Sequence, residues 1–161
     1  MPEEFKPRLD YAKFGQEALR SFYAVERYLH GSGIDPKLLH MLKLRASQIN
    51  DCAYGIDMHW KDAIAAGETD QRLYGLDAWR ESPYYTERER AALEWIETVT
   101  LVSETHVPDD LYQRARAQFS EKEIVDLTIA AAMINLWNRI AISFRAEPGK
   151  YQPQKHLATA S

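Results

Sequence analysis

Apolar side chains recur every three or four positions along most of the chain, which is the period of an α-helix. Between Leu9 and His30 this pattern predicts a long helix, and Gly31 stops it. The same pattern predicts helices over 36–49, about 52–66, 69–79, 87–104, about 107–119 and 121–144. No segment alternates apolar and polar residues with enrichment in β-branched side chains, so we expect no β-sheet.

Capping motifs mark where several of these helices begin. Thr86 with Glu89, and Ser120 with Glu123, fit the capping box, in which the glutamate side chain reaches back to the cap amide. Asp35 precedes a proline, as expected at a helix start. The sequence therefore predicts an all-α, single-domain helical bundle of about six to seven helices over residues 1–149. Residues 150–161 are predicted to form a C-terminal tail that docks on a partner subunit.

Composition narrows the classes of function. The 161 residues are 45% apolar and 27% charged, with a net charge of −4 and no basic block, which argues against nucleic acid and anionic membranes as partners. No apolar run approaches the roughly 18 to 20 residues that a membrane span needs. One cysteine cannot form an internal disulfide, so we expect a reducing, cytoplasmic location.

The segment from Cys52 to His59 carries the candidate chemistry. On one helix, positions 52, 55 and 59 share a face, and the first and last lie roughly 10 Å apart along the axis. That distance is too long for a direct hydrogen bond, and Gly55 lies between the two side chains. Free N–H groups and the dipole at a helix start lower the pKa of a thiol, so we expect a Cys52 thiolate near neutral pH.

The run L-K-L-R-A-S-Q-I-N-D-C-A-Y-G-I-D-M-H, residues 42–59, resembles the core of the alkylhydroperoxidase D-like proteins. These proteins belong to the carboxymuconolactone decarboxylase superfamily, and segments 86–95, 106–112 and 134–145 resemble it as well. The resemblance implies an all-helical fold, trimers or hexamers of one chain, and a thiol peroxidase cycle without a cofactor. In that cycle the second cysteine of C-x-x-C-x-x-x-H attacks the peroxide, and the first then forms a disulfide with it.

Position by position, the match to this motif is partial. Cys52 matches the first cysteine and His59 the histidine, whereas Gly55 occupies the position of the second cysteine. His40 occupies the position of an acidic residue in the family's proton relay. We therefore expect an impaired peroxidase, or one that depends on Cys52 alone, and we expect Gly55→Cys to raise turnover.

Further residues complete the predicted site. Gln48, one turn before Cys52, and Tyr54 are candidate binding residues. The implied partners are a small peroxide substrate and an external thiol reductant. No C-x-x-C or H-x-x-x-H pair places two strong metal ligands one turn apart, so no metal site is expected.

Two other functions fit the same residues. One is a lyase resembling the lactone decarboxylases, in which His40 and His59 transfer protons and Arg45 or Arg139 binds a carboxylate. The other is a non-catalytic oligomeric protein that kept the fold and lost the thiol cycle.

Overall fold

Nine α-helices and one 3-10 turn make up the regular structure of residues 5–154, the part of the chain that the computed structural model describes. No strand occurs in this part, so the all-α prediction is confirmed. The helices are α1 Tyr11–Phe14, α2 Gln16–His30, α3 Pro36–Ile49, α4 Ala53–Ala65, α5 Asp70–Tyr74, α6 Glu87–Thr100, α7 Val102–Thr105, α8 Asp109–Gln118 and α9 Glu121–Phe144.

The helix count exceeds the predicted six to seven because two long predicted helices are each interrupted once. Gly15 separates α1 from α2, and Leu101, with ψ near 34°, separates α6 from the single-turn α7. The predicted helix over 69–79 divides similarly at Gly75, after which residues 76–78 form the 3-10 turn. Apolar periodicity continues across these interruptions, so it does not reveal them.

The predicted caps are confirmed by their hydrogen bonds. Asp35 accepts from the Lys37 amide at the start of α3. Both capping boxes are complete, at the starts of α6 and α9. Each cap satisfies amide groups that the first helical turn leaves without a partner.

Helix α9 lies at the centre of the bundle and packs against α2, α3, α4, α6 and α8. By length and hydropathy alone this helix is long and apolar enough to cross a membrane. However, it carries the buried polar residues Asp126, Asn135 and Asn138, which hydrogen-bond to neighbouring helices. Its composition is therefore that of a central core helix.

A tight corner joins α3 to α4 and determines where the thiol lies. Asp51 adopts a left-handed conformation with φ of 53°, and the Cys52 amide donates to the Ser47 carbonyl at 2.9 Å. Aspartate tolerates this conformation better than most residues do. The corner places Cys52 at the N-cap of α4, as the sequence predicts.

The segment after α9 returns to α4 of the same chain. Lys61 Nζ donates to the carbonyls of Gly149 and Tyr151 at 3.1 Å each, and Asp57 accepts from the Gly149 amide. Tyr151, within the predicted tail, thus contacts its own chain, and docking of the tail on a partner subunit stays a prediction. The domain boundary at 149 stays a prediction, and residues 155–161 lie outside the described part.

Candidate functional site

A cavity of about 330 Å³ lies between α2, α3, α4 and α9. It is lined by five of the six predicted site residues, and by further polar residues that the sequence did not indicate. The five are His40, Cys52, Tyr54, Gly55 and His59. The structure therefore brings the thiol and both imidazoles to one chamber, although they lie on two helices.

Cys52 is buried, with 1% of its surface exposed. Burial raises the pKa of its thiol, and hydrogen bonds from the Gly55 and Tyr54 amides and from Asn138 offset this only partly. The expectation of a thiolate near neutral pH is wrong, because desolvation outweighs the helix N-terminus. The thiol is protonated at neutral pH and needs a base to react.

Gly55 is a close-contact residue between three helices. A Cβ built at this position would lie 2.4 Å from Ser47 Oγ on α3 and 2.8 Å from Asn138 Nδ2 on α9. Real Cβ atoms do not approach other atoms this closely, so any larger side chain must displace these polar groups. The expectation that Gly55→Cys simply restores a second thiol is therefore not supported, since the space is already filled.

The groups that fill this space form a hydrogen-bonded network beside the thiol. Asn138 donates to Ser47 Oγ at 3.1 Å and accepts from Asn50 at 2.9 Å. Asn50 also donates to Asn135, which continues the network along α9. These contacts give the buried amides the hydrogen-bond partners that buried polar groups require, and they hold the α3–α4 corner against the central helix.

His40, His59 and Asp62 form a second polar group on the cavity wall. Asp62 Oδ2 lies 3.9 Å from His40 Nδ1 and 3.8 Å from His59 Nδ1. The two imidazole rings are 6.2 Å apart between centroids and nearly parallel. A carboxylate oxygen thus lies between two imidazoles, an arrangement suited to proton transfer or to metal binding.

His59 is the most buried member of this group, with 6% of its surface exposed. Burial, together with the charge of Lys43 and the neighbouring imidazoles, holds the pKa of His59 well below its usual range. The side chain is therefore neutral at pH 7 and retains a lone pair that can accept a proton.

Asp62 was missed by the sequence reasoning, although a signal was present. It lies three residues after His59 on α4, which places both on one helical face. Its other oxygen, Oδ1, accepts a hydrogen bond from the Tyr151 hydroxyl at 2.6 Å. No sequence pattern connects Tyr151 to this site, because the contact spans 89 positions.

A buried ion pair lies near the imidazoles. Lys43 on α3 bonds to Glu26 on α2, and Glu26 also accepts from Trp137 Nε1 at 2.9 Å. All three residues line the cavity. Lys43 is 3% exposed, so its charge acts through little solvent and gives the chamber a fixed cation.

Three residues considered from sequence do not lie at the cavity wall. Gln48 accepts from Arg45 at 3.2 Å, and Arg45 also bonds to Glu97, which places both on the opposite side of α3. Arg139 bonds to Asn135 within α9. The helical turn that places Gln48 before Cys52 ends at the α3–α4 corner, so the predicted approach of Gln48 to the site is wrong.

The sequence also predicts no metal site, on the basis of spacing within single helices. In the described residues, however, His40, His59 and Asp62 offer ligand atoms that all lie within 4.8 Å of one another. These ligands come from α3 and α4 together, so a test of spacing within one helix does not find them.

The sequence is similar to a known protein family and to a bacterial protein. Residues 16–98 match the model of the carboxymuconolactone decarboxylase family. The uncharacterized protein YdfG of Bacillus subtilis strain 168 is 42% identical over 136 residues, covering 84% of this chain and 92% of that protein.

Solved structures share the fold. ATU0492 from Agrobacterium tumefaciens, a protein of unknown function suggested to be an antioxidant defence protein AhpD, is 45% identical with a TM-score of 0.87. The alignment covers 91% of this chain and 100% of that one. An uncharacterized peroxidase-related protein from Ralstonia eutropha JMP134 with an alkylhydroperoxidase AhpD core is 19% identical, with a TM-score of 0.77 over 87% of this chain and 75% of that one.

Proposed function

Because the chain belongs to the carboxymuconolactone decarboxylase family, we propose that it reduces hydrogen peroxide or small organic hydroperoxides with Cys52 as its nucleophile. The observation that carries this proposal is the shared cavity, which brings the Cys52 thiol, two imidazoles and a carboxylate to one chamber. The suggested antioxidant role of ATU0492, which is 45% identical, supports it.

In the first step the Cys52 sulfur attacks one peroxide oxygen. The sulfur–oxygen bond forms as the oxygen–oxygen bond breaks, so two electrons pass from sulfur to the peroxide and leave a sulfenic acid. His59 is neutral and accepts the thiol proton through water, because about two helical turns separate the two side chains. The same proton then passes to the leaving group, so that hydroxide from hydrogen peroxide departs as water and alkoxide from an organic hydroperoxide departs as an alcohol.

An external thiol completes the cycle, since the chain holds one cysteine. Its sulfur displaces water from the sulfenic acid and forms a mixed disulfide with Cys52. A second external thiol attacks this disulfide, releasing the Cys52 thiol and an oxidised reductant. The reductant must be small enough to enter, because Cys52 is 1% exposed.

Intact-mass measurement after a peroxide pulse tests this proposal. The parent chain should gain one oxygen atom that a small thiol removes, whereas Cys52→Ser should gain none. Peroxide consumption with added thiol should fall to the background rate in Cys52→Ser. Equal consumption by the two chains would reject Cys52 as the nucleophile.

A second candidate function is favoured by the His40–Asp62–His59 arrangement. Two imidazoles on either side of a carboxylate could move a proton on a small unsaturated lactone carboxylate, with Lys43 as the anion partner in place of the arginines considered from sequence. Alkylation of Cys52 should then leave turnover of such a lactone intact, and His59→Gln should abolish it. The opposite pattern would favour thiol chemistry.

We also propose that the protein works as a homo-oligomer in the cytoplasm. An exposed apolar groove between α1, α2 and the end of α9 supports subunit contact, and Phe14 within it is 77% exposed. Light scattering coupled to size-exclusion chromatography should give a mass well above that of one chain. Phe14→Glu should lower this mass. The mass of a single chain, measured for both the parent and Phe14→Glu, would reject the proposal.

A further inference from the structure

We infer that His40, His59 and Asp62 bind one divalent transition-metal ion, with the remaining coordination positions of the metal open to the cavity. The ligand atoms of these residues lie within 4.8 Å of one another, and all three side chains line the chamber. Two imidazole nitrogens and one carboxylate oxygen form a donor set that suits Zn²⁺, Co²⁺ and Fe²⁺. This inference does not rest on the proposed thiol chemistry.

The unmet hydrogen-bonding capacity of His59 is an independent indication of a ligand. Its Nδ1 atom makes no hydrogen bond to any described residue, and it is buried, since His59 is only 6% exposed. Buried polar atoms in native proteins nearly always have a partner, so such an atom calls for an explanation. It points towards Asp62 Oδ2 at 3.8 Å, which is beyond hydrogen-bond range but within reach of a shared ion.

Two of the three separations between ligand atoms are close to those found around a bound metal. Around a tetrahedral zinc ion, neighbouring nitrogen and oxygen ligands lie roughly 3.3 Å apart. The two pairs that include Asp62 Oδ2, at 3.8 and 3.9 Å, are wider by about half an ångström. The third pair, between the His40 and His59 nitrogens, is separated by at most 4.8 Å. Binding of one ion therefore requires these two imidazoles, which lie on α3 and α4, to turn towards each other.

The hydrogen bond from Tyr151 orients the carboxylate. Tyr151 donates to Asp62 Oδ1 at 2.6 Å and leaves Oδ2 directed between the imidazoles. Hydrogen bonds of this kind to a ligating carboxylate are a regular part of protein metal sites. Tyr151 is therefore a positioning residue that acts through Asp62.

Within residues 5–154 the group offers three protein ligands, and a cavity adjoins them. Structural zinc sites are closed by four protein ligands, whereas catalytic sites have three and an open position. The arrangement is of the second kind, and it would hold a metal-bound water facing the same chamber as Cys52.

Titration of the full chain, freed of metal by a chelator and then dialysed, tests the inference. We expect one Zn²⁺ per chain by calorimetry and a visible absorption band from bound Co²⁺. Mg²⁺ should not compete, since it prefers all-oxygen ligands. His59→Gln and Asp62→Asn should each lower the Zn²⁺ affinity by more than about 100-fold, and Tyr151→Phe by roughly 10-fold.

Two control variants separate this site from adventitious binding. His106→Asn removes an exposed histidine from a position with a left-handed backbone conformation, which asparagine tolerates. This variant should leave the Zn²⁺ affinity unchanged. Cys52→Ser should also leave it unchanged, because the thiol is not among the three ligands. Thermal melts of the metal-free variants confirm that each is folded.

Three results would overturn the inference. They are equal Zn²⁺ affinity in the parent and Asp62→Asn, loss of binding in His106→Asn, and loss of binding in Cys52→Ser. Peroxide-dependent oxidation of Cys52 in metal-free protein is measured separately, so a failure of metal binding leaves the proposed thiol function standing.

Discussion

Two carboxylates in this bundle, the buried Glu97 and the half-buried Asp62, have the same chemistry and different surroundings. Both oxygens of Glu97 on α6 accept hydrogen bonds, from Arg45, Trp79 and Arg80, at distances of 2.6–2.9 Å. Asp62 on α4 has one oxygen bonded to Tyr151, while the other lies 3.8–3.9 Å from two imidazoles. Glu97 is held by hydrogen bonds from two arginines and an indole, whereas Asp62 Oδ2 lies beside two imidazoles at the cavity wall, where a ligand or a proton can reach it.

This difference matches where the two groups lie. Asp62 lines the cavity with the thiol, whereas Glu97 joins α3, α6 and the 3-10 turn away from it. A fully hydrogen-bonded network favours a unique packing, and titratable groups gathered at a cavity are typical of functional sites. Stability and function should therefore respond differently when each carboxylate is changed.

The largest expected loss of stability follows from Glu97→Ala. The substitution removes the carboxylate acceptor of Arg45 Nε and of the Trp79 indole in a buried setting, so we expect the free energy of unfolding to fall by about 3–5 kcal/mol. Urea denaturation at pH 7 measures this.

Glu94→Ala is the matched control for this measurement. Glu94 lies on the same helix and also pairs with an arginine, Arg114, but that arginine side chain is 52% exposed. The change should cost less than about 1 kcal/mol. Equal losses in the two variants would show that the burial of Glu97 adds nothing to the free energy of unfolding beyond an exposed ion pair.

An intermediate loss is expected from Gly55→Ala, which presses a methyl group into the Ser47–Asn138 contact. Overpacking costs about 1–3 kcal/mol, and the better helix propensity of alanine offsets roughly 0.5–1 kcal/mol of it. Adding Ser47→Gly should recover part of the loss, as a double-mutant cycle in urea would show.

Gly31→Ala is the control for this variant. A Cβ at Gly31, the cap of α2, would meet only ordinary contacts at 3.6 and 3.7 Å. Its stability should be unchanged within about 1 kcal/mol. Destabilisation of the same size at both glycines would remove the close-packing explanation for position 55.

A small loss of stability with a large loss of function is expected from His59→Gln. Because His59 Nδ1 makes no hydrogen bond within the described residues, removing it should change the free energy of unfolding by less than about 1 kcal/mol. Peroxide-dependent oxidation of Cys52 should slow by about 100-fold or more if His59 transfers the proton. A loss of stability as large as that of Glu97→Ala would show that His59 stabilises the fold as strongly as Glu97 does, which contradicts the proposed difference.

The smallest effect is the pH dependence of the Glu97 contribution. Burial alone would raise the pKa of Glu97, but hydrogen bonds from Trp79, Arg45 and Arg80 outweigh it and lower the pKa. The stability that this carboxylate provides is therefore present above its unfolded pKa of about 4.3 and is lost as pH falls through the lower folded value.

Comparing the parent with Glu97→Gln isolates this contribution. The difference in urea midpoint between the two chains should be constant from pH 7 to pH 5 and should shrink towards pH 3. A difference that grows on acidification would mean that the pKa of Glu97 is raised instead.

Much of the fold was accessible from sequence because its signals are local. Capping boxes at Thr86 and Ser120 and the Asp35 cap gave the starts of α6, α9 and α3. The long helix α2 begins at Gln16, seven residues after the start predicted at Leu9. The breaks at Gly15 and Leu101 were not accessible, since backbone turns there leave the apolar period intact.

The site was accessible only where its residues share one helix or a family motif. Cys52, Gly55 and His59 were found in this way, and all three line the cavity. The protonation state of Cys52 was predicted wrongly, because its burial depends on how the helices pack and cannot be read from its neighbours in the chain. Tyr151 depends on a contact between distant segments, and no local pattern contains that information.

The hydrogen bond from Tyr151 to Asp62 has a practical consequence for producing the protein. The hydroxyl that orients this carboxylate belongs to the segment after the last helix. Lys61 holds that segment in place by a hydrogen bond to the Tyr151 carbonyl. An affinity handle or a proteolytic cut placed just after it would disturb the chemistry of the chamber while the bundle stayed folded. Purification handles therefore belong at the amino terminus, and samples trimmed at the other end should be compared with the intact chain before activity is judged.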